Sequence, residues 1–289
     1  MARLPKAIAV DAGSTDPGPY YLGSGQSFTN REAVKRDLAL IIEAGLDAKI
    51  PVLIGTAGGS GAAPHLSWCL EIVNDVLVEL NQTARVAHIE SDQTANDLIT
   101  ALRQHRISPL GPVPSLTVAD ISESTHIVAQ MGVEPVVAAL KEGAQIVVAG
   151  RCYDPAVFAA VPVMQGFSEA LALHMGKILE CAAIAAIPGS GSDCMLGTLD
   201  ATGFVLEALN PDRRCTVTSV AAHTLYEKSD PRLLPGPGGV LDLTGCQFEQ
   251  MDDRRVRVTG TQFVKSDQYT IKLEGAKPVG YRTISLAGI

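Results

Sequence analysis

The segment PVLIGTAGGSG at residues 51–61 decides how this chain folds. Its apolar beginning predicts a buried strand, its glycines predict a tight turn, and Pro64 suits the first turn of a helix. Apolar residues then recur at three- and four-residue steps, and the predicted core side of that helix consists of Leu66, Leu70, Val73, Leu77 and Leu80. The sequence therefore predicts a strand, a glycine turn and a helix over residues 51–80.

The glycine turn is also a candidate binding site. Glycine permits positive φ angles, and the amide groups at a helix N-terminus attract a carboxylate or a phosphate. We therefore predict that Gly58, Gly59, Ser60 and Gly61 bind substrate; the alternative is a strand-to-helix turn that binds nothing. Neither a phosphate-loop lysine nor the G-x-G-x-x-G spacing is present, which argues against a nucleotide site and against redox chemistry.

Strand and helix patterns alternate through the first half of the chain. Further strands are predicted at 7–10, 85–89 and 145–150, and helices at 30–48, 91–104 and 134–142, with Asn30 and Ser91 as N-caps. The segment 125–132 fits either a strand or a helical turn. This alternation predicts an α/β fold, with a doubly wound parallel sheet over residues 1–165.

A different pattern follows Pro155. An apolar helix is predicted from Ser168 to Ala186, and a second helix at 216–227. Alternating runs predict antiparallel strands at 193–199, 203–208, 246–250, 254–259 and 269–274. Residues 166–289 are thus predicted to form a smaller α+β region. Because the chain ends in an apolar run without a polar cap, we expect the natural protein to continue beyond residue 289.

Composition excludes several classes of function. The 289 residues carry a net charge of −8 with no basic run and only 4% aromatic residues, so nucleic acid is not an expected partner. No apolar stretch approaches the length of a membrane span or a signal sequence, which predicts a cytoplasmic protein that does not bind membranes. The 6 cysteines form no C-x-x-C pair and are predicted to be reduced thiols.

Three loops follow predicted parallel strands, at residues 11–25, 55–61 and 150–155. Such loops emerge on one edge of a parallel sheet, where α/β proteins bind their ligands. The side chains that we expect to line a common cleft at this edge are Asp16 or Tyr20, together with Ser60, Arg151 and Asp154.

Arg151 and Asp154 are the charged pair of that edge. The guanidinium of Arg151 suits a substrate carboxylate, and Asp154 is predicted to move a proton in catalysis. The alternative is a structural ion pair between the two side chains. Cys152 lies between them as a further candidate nucleophile, although no histidine follows at a telling distance.

Two more catalytic candidates lie in the second region. Glu180 follows an apolar helical pattern, where a carboxylate needs a partner or a raised pKa and can then act as a general acid or base. The alternative is a solvated pair with Lys177. His223 is the other candidate, against a histidine that merely satisfies its hydrogen bonds in the core or at the surface.

No cofactor and no metal set is predicted with specificity. The sequence allows one arrangement for Mg²⁺, in which Asp11, Asp16 and Asp154 meet at the sheet edge and hold the ion through water. The nucleophile-elbow spacing G-x-S-x-G is absent around Ser60, which argues against a serine hydrolase.

Several segments together resemble one family. These are AGRCYD at 149–154, GKILECA at 176–182, HTLYE at 223–227, VLDL at 240–243 and RRVRVTG at 254–260. With the glycine loop, they are similar to the acyclic terpene utilisation AtuA family over nearly the whole chain. That resemblance implies a role in a catabolic pathway of the kind that degrades citronellol and geraniol, and it implies a longer natural chain.

The residues and the resemblance together predict an enzyme of acyl or carboxylate catabolism. We expect it to act on a small carboxylate or an acyl thioester such as an acyl-CoA by acid–base chemistry, for example as a lyase that adds or removes water. We also expect a homo-oligomer. The alternative is a non-catalytic ligand-binding or assembly subunit of a catabolic complex.

Overall fold

The predicted parallel sheet is present in the structure, a computed structural model that describes residues 4–226 and 230–281. Its strands lie side by side in the order β1 (Ile8–Asp11), β2 (Val52–Gly55), β5 (Ile146–Ala149) and β3 (Val86–Ile89), and all pairs are parallel. The chain moves outward from β1 to β3 and then returns to β5. That reversal makes the sheet doubly wound, as predicted.

Helices cover both faces of this sheet. α2 (Arg31–Ala48) and α3 (Ala63–Glu79) pack on one face, and α6 (Glu134–Lys141) and α7 (Ala156–Met164) pack on the other. Ile54 joins the first core cluster and its neighbour Leu53 joins the second, because successive side chains of a strand point to opposite faces. α7 has no counterpart in the prediction, since apolar residues on all its sides hide the helical period.

The helix starts show which local signals were reliable. Asn30 caps α2 as predicted, with its side-chain oxygen accepting the amides of Glu32 and Ala33 at 3.0 and 3.1 Å. The prediction that Ser91 caps the next helix is wrong: Thr94 caps α4 (Ala95–Arg103) instead. The short helices α1 (Pro19–Ser24) and α5 (Val118–Glu123) form within segments that showed no helical pattern.

The ambiguous segment 125–132 contains a strand, β4 (His126–Ala129). It pairs antiparallel with β15 (Leu273–Ala276), so a strand from the end of the described chain returns to the first region. Only residues 273 and 274 of the predicted run 269–274 lie in this strand, which belongs to the N-terminal half by its pairing. The proposed division at residue 165 stays a prediction.

The second region is built on helix α8 (Glu169–Leu179), with Ser168 as its N-cap. This helix stops well short of the predicted Ala186, and a 3₁₀ helix (Ala182–Ala185) follows the break. α9 (Val217–Thr224) is the other helix of this region, and residue 227 of the predicted helix lies outside the described residues.

Antiparallel sheets complete the second region, as predicted. One contains, in order, β12 (Gln247–Gln250), β13 (Arg255–Thr259), β8 (Gly203–Ala208) and β7 (Met195–Leu199). The others contain β10 (Leu233–Gly236), β11 (Gly239–Asp242) and β14 (Gln262–Lys265), and β6 (Ala186–Ile187) with β9 (Arg214–Cys215). Phe204 and Val258 pack with Met175 and Ile178 of α8 in the core of this region. The apolar end at 282–289 lies outside the described residues.

Candidate functional site

The glycine loop at 55–61 is buried and uses its amides within the protein. The amides of Thr56 and Ala57 donate to carbonyls at the end of β5, at 3.0 and 2.9 Å. Those of Gly59 and Gly61 donate to carbonyls of the loop itself, at 3.3 and 3.2 Å. Substrate binding by this loop stays a prediction, and the amide geometry favours the structural alternative.

Its glycines are needed because backbones approach one another closely. A Cβ atom on Gly58 would lie 2.3 Å from the carbonyl oxygen of His65, and one on Gly61 would lie 2.3 Å from the amide nitrogen of Arg151. A Cβ on Gly13, from the first loop, would lie 2.1 Å from the carbonyl oxygen of Gly59. The three predicted loops therefore do meet at one edge of the sheet, through their backbones.

The N-terminus of α3 already carries an anion supplied by the protein. A carboxylate oxygen of Asp92 accepts the amide hydrogen of Ala63 at 2.7 Å. Ser91, next to it, donates its hydroxyl to the carbonyl of Gly61 and accepts the amide of Arg151, both at 2.8 Å. Asp92 thus satisfies one amide of the helix start that the sequence offered to a ligand, and Ser91 ties the neighbouring loop to Arg151.

Two of the predicted substrate-binding side chains lie in exposed positions. Asp16 accepts a hydrogen bond from the hydroxyl of Ser14 at 2.8 Å, within its own turn. Tyr20 lies on α1 with 64% of its surface exposed and its ring edge against Tyr21. Ser60 is buried, and its hydroxyl has no hydrogen-bond partner among residues 4–226 and 230–281.

Three carboxylates meet where β1, β5 and α8 end. Oxygens of Asp11, Asp154 and Glu180 all lie within 4.8 Å of one another, and we name this set the carboxylate cluster. Burial, followed by the charges of Asp154 and Glu180, raises the pKa of Asp11 well above its usual 3.8. One oxygen of Asp11, Oδ1, is buried and has no hydrogen-bond partner in the described ranges.

Arg151 neutralises one side of the cluster. It is only 3% exposed, its Nη1 donates to Asp154 at 2.7 Å, and its Nε donates to Glu274 of β15 at 2.6 Å. Nη1 also approaches the hydroxyl of Thr56 at 3.2 Å. The ion pair with Asp154 is thus present, and a substrate carboxylate would have to replace one of these partners. Direct anchoring of substrate stays a prediction, while the geometry favours a positioning role.

Lys177 neutralises the other side. Its ammonium pairs with Glu180, and the two side chains are only 2% and 4% exposed. The alternative of a solvated pair on a helix face is therefore wrong. With Glu274 and its second partner Lys272 included, four carboxylates face the three cations Arg151, Lys177 and Lys272, so one negative charge is left over. A proton on Asp11 removes it, which agrees with the raised pKa of that group.

Glu180 also belongs to a second cluster of side chains, with Cys181 and His223. One ring nitrogen of His223, the sulfur of Cys181 and an oxygen of Glu180 lie within 4.8 Å of one another. His223 is 3% exposed, stacks on Tyr226 at 5.4 Å between ring centroids, and its Nε2 has no hydrogen-bond partner within the described chain. Burial, followed by the charge of Lys177, lowers its pKa to about 4, so the imidazole is neutral at neutral pH.

Sequence reasoning missed Asp11, Lys177 and Cys181 as members of the site. Asp11 entered only as a possible magnesium ligand beside Asp16, and the structure puts Glu180 in the place of Asp16. The three oxygens of the carboxylate cluster form the all-oxygen donor set that Mg²⁺ prefers, although Arg151 and Lys177 already supply positive charge there. Magnesium binding stays a prediction.

The surroundings of Cys152 disfavour a role as a nucleophile. It is fully buried, and burial raises the pKa of its thiol to about 12. A thiol with so high a pKa is almost entirely protonated at neutral pH, whereas the thiolate is the reactive form.

A large cleft opens beside the two groups. Its volume is about 1290 Å³, and it lies between β1, α7, the 3₁₀ helix and β7. Asp11, Glu180 and Cys181 belong to its wall. Most of the remaining wall is apolar, with contributions from Ile8, Val161, Leu179, Ile184, Leu196 and Leu199. The cleft therefore suits a ligand with an apolar body and a reactive polar group.

The family model of the acyclic terpene utilisation family protein AtuA matches residues 32–194 and 198–288. The chain belongs to the AtuA family. The matched ranges include Arg151, Asp154, Glu180 and His223, whereas Asp11 precedes them. No curated protein and no solved structure matches this AtuA-family chain. None of the helices in the described ranges is long and apolar enough to cross a membrane.

Proposed function

We propose that this AtuA-family protein is an acid–base enzyme that acts on a carboxylate or an acyl thioester with an apolar chain. The observation that carries the proposal is that two members of the carboxylate cluster, Asp11 and Glu180, belong to the wall of the apolar cleft, with one oxygen of Asp11 left without a partner in the described ranges. Buried polar groups are otherwise almost always hydrogen-bonded, so such an oxygen is a candidate contact for a reacting group.

The proposed roles follow from charge and burial. Burial, followed by the charges of Asp154 and Glu180, raises the pKa of Asp11 and so favours its protonated form, which acts as the general acid. His223 is neutral and buried, and it acts as the general base. Asp154 and Glu180, each paired with a cation, hold the charge that keeps Asp11 protonated. An acid and a base with separate environments suit the addition or removal of water on an acyl chain.

The cleft supports the substrate class. Apolar side chains can bind an acyl chain by the hydrophobic effect, while its carboxyl or thioester end lies beside the carboxylate cluster. The description of the AtuA family, acyclic terpene utilisation, supports a catabolic role for the protein but names no reaction.

The test begins with thermal shifts in a panel of carboxylates and acyl-CoA esters of increasing chain length. Ligands that stabilise the protein are then incubated with it, and mass spectrometry follows the gain or loss of one water molecule. We expect binding to strengthen with chain length and turnover to occur with at least one ligand.

The matched variants are Asp11→Asn and Asp37→Asn, of which the second changes an exposed carboxylate on α2. We expect Asp11→Asn to keep binding and to lose at least ~100-fold in turnover, the usual scale for a general acid. Asp37→Asn should behave as the unchanged protein. Binding without any turnover would contradict the enzyme and support a ligand-binding or assembly subunit.

A further inference from the structure

We propose that Cys181 and His223 form a nucleophile–base pair that accepts an acyl group from a thioester bound in the cleft. This inference rests on the acyl-thioester substrate of the proposed function; it shares His223 with the proposed acid–base step but does not use Asp11.

The position of Cys181 comes from a break in the helical pattern. The sequence predicts one helix from Ser168 to Ala186, yet α8 stops at Leu179 and the 3₁₀ helix begins at Ala182. Glu180 and Cys181 occupy the break, and both belong to the wall of the cleft. A partly exposed thiol beside an apolar channel is accessible to the carbonyl of a bound acyl chain.

His223 provides the second observation. It is a buried histidine whose Nε2 has no hydrogen-bond partner in the described ranges, and a ring nitrogen lies within 4.8 Å of the Cys181 sulfur. His174 shows the contrasting case: Nδ1 contacts the hydroxyl of Thr261 at 2.7 Å, and Nε2 contacts that of Thr224 at 3.2 Å. His174 is satisfied in the core, whereas His223 is available to accept a proton.

The surroundings of His223 keep its imidazole neutral and its ring fixed. The ammonium of Lys177 lies 5.7 Å from the centre of the Tyr226 ring, on which His223 stacks. Lys177 pairs with Glu180, whose carboxylate lies within 4.8 Å of the sulfur of Cys181. The imidazole of His223 is neutral, as a base must be, and its ring plane is held by the stacking contact.

The chemical step balances without a cofactor. The thiol proton of Cys181 passes to a ring nitrogen of His223, and the sulfur forms a bond to the thioester carbonyl carbon. The bond between that carbon and the sulfur of CoA then breaks, and the departing thiolate takes the proton from the imidazolium. One thioester is consumed and another is formed, so no oxidant, reductant or co-reactant is needed.

Cys194 offers a matched control within the same protein. It is more exposed than Cys181 and lines the same cleft, but burial and then the charge of Asp193 raise the pKa of its thiol. If exposure alone governed reactivity, Cys194 would react first. If the pair with His223 governs it, Cys181 would react first.

The experiment treats the full chain with iodoacetamide, and separately with octanoyl-CoA, and maps the modified cysteines by peptide mass spectrometry. We expect iodoacetamide to label Cys181 at least about tenfold faster than Cys194, and octanoyl-CoA to leave an octanoyl group on Cys181. His223→Gln should reduce the labelling ratio of Cys181 to Cys194 by about tenfold or more. Cys181→Ser should abolish the octanoyl adduct, and Cys194→Ser should keep it.

Faster labelling of Cys194, an unchanged ratio in His223→Gln, or the absence of an octanoyl adduct on Cys181 would each overturn the inference. Because Cys194 serves as an internal reference, a general loosening of the fold in His223→Gln is recognised by faster labelling of both thiols. The conservative Cys181→Ser variant gives a second test that does not depend on His223. Asp11→Asn should keep the adduct, so loss of turnover with retained acylation separates this inference from the proposed function.

Discussion

The glycine loop and the carboxylate cluster both follow strands of the same sheet, yet they differ in how completely their polar groups are satisfied. In the loop, the amides of Thr56, Ala57, Gly59 and Gly61 donate to carbonyls, and Asp92 occupies the start of α3. In the cluster, three carboxylates share two cations, and Asp11 keeps a buried oxygen without a partner among the described residues.

Incomplete hydrogen bonding and excess charge distinguish a candidate reactive site from a structural one. A site whose hydrogen bonds are complete gains little from a ligand, because the ligand must displace partners that are already well placed. A site with an excess charge and an unpaired oxygen gains stability when a ligand or a proton completes it. By this criterion the four amides make the backbone of the loop a scaffold, although the buried hydroxyl of Ser60 has no partner in the described ranges. The cluster, which also carries excess charge, is the candidate active site.

The largest expected effect tests the support of the cluster. Arg151→Ala would remove the buried cation that Asp154 and the buried Glu274 share, leaving Lys272 as the partner of Glu274 and Asp154 partly exposed without one of its hydrogen bonds. We expect a loss of about 3–5 kcal/mol in the free energy of unfolding, measured by urea denaturation. Lys35→Ala, which breaks the exposed pair with Glu79, serves as control and should change stability little. Equal effects of the two variants would show that the cluster does not depend on Arg151.

The second prediction tests the loop as scaffold. Gly58 has a φ of 69°, and a Cβ there would lie 2.3 Å from a carbonyl oxygen, whereas Gly166 has a φ of 85° with no atom within 4 Å. Gly166→Ala should therefore cost about 1–2 kcal/mol for its backbone conformation alone. Gly58→Ala should lower the free energy of unfolding by at least ~1–3 kcal/mol more than Gly166→Ala, because the backbone around His65 must move to make room for the new Cβ. Urea denaturation compares them, and similar costs would mean that the loop is loosely packed.

The third prediction uses the pH dependence of stability to test the protonated state of Asp11. Its pKa is raised in the folded protein, so its contribution is fully favourable below about pH 4 and is lost as the pH rises through the folded pKa. Asp11→Asn should match the unchanged protein at pH 4 and be more stable at pH 7 to 8, by about 1.4 kcal/mol for each unit of raised pKa.

Urea denaturation at several pH values measures the difference, with Asp37→Asn as the exposed control. A variant Asp11→Asn that is less stable than the unchanged protein at neutral pH would show that Asp11 is ionised there. In that case the carboxylate cluster carries three negative charges, and the assignment of Asp11 as an acid fails.

The smallest expected effect concerns the anion at the start of α3. Asp92→Ala removes the carboxylate that accepts the amide of Ala63, which should cost about 1 kcal/mol. Sulfate should then stabilise the variant more than the unchanged protein, in thermal-shift measurements against chloride at equal ionic strength. Strong stabilisation of the unchanged protein by sulfate would instead favour the glycine loop as a true anion site.

The sequence by itself determined most of the local structure. Asn30 signals the start of α2 because its side chain can satisfy free amides wherever a helix follows. The strands at 52–55 and 203–208 follow from an apolar run and an alternating run, which need no knowledge of distant residues. The family resemblance also came from contiguous segments, and the family match bears it out.

Only the folded structure shows which groups each polar side chain contacts and where a helix ends. Ser91 fits a helix cap in sequence, but the turn after β3 brings it against the glycine loop and Arg151, where its hydroxyl bonds on both sides. The apolar pattern after Ser168 continues through Glu180, yet α8 stops before that residue. Periodicity reports which side of a helix is apolar, and it does not report the contacts that end the helix.

The candidate site depended on tertiary structure most of all. Asp11, Asp154 and Glu180 come from the ends of β1, β5 and α8, and only the strand order and the packing of the second region bring their oxygens within 4.8 Å. The sequence could name Asp154 and Glu180 from their chemistry, but it assigned the first loop's role to Asp16 and Tyr20. Charge excess and an unsatisfied oxygen are properties of a three-dimensional environment, which no local pattern of residues encodes.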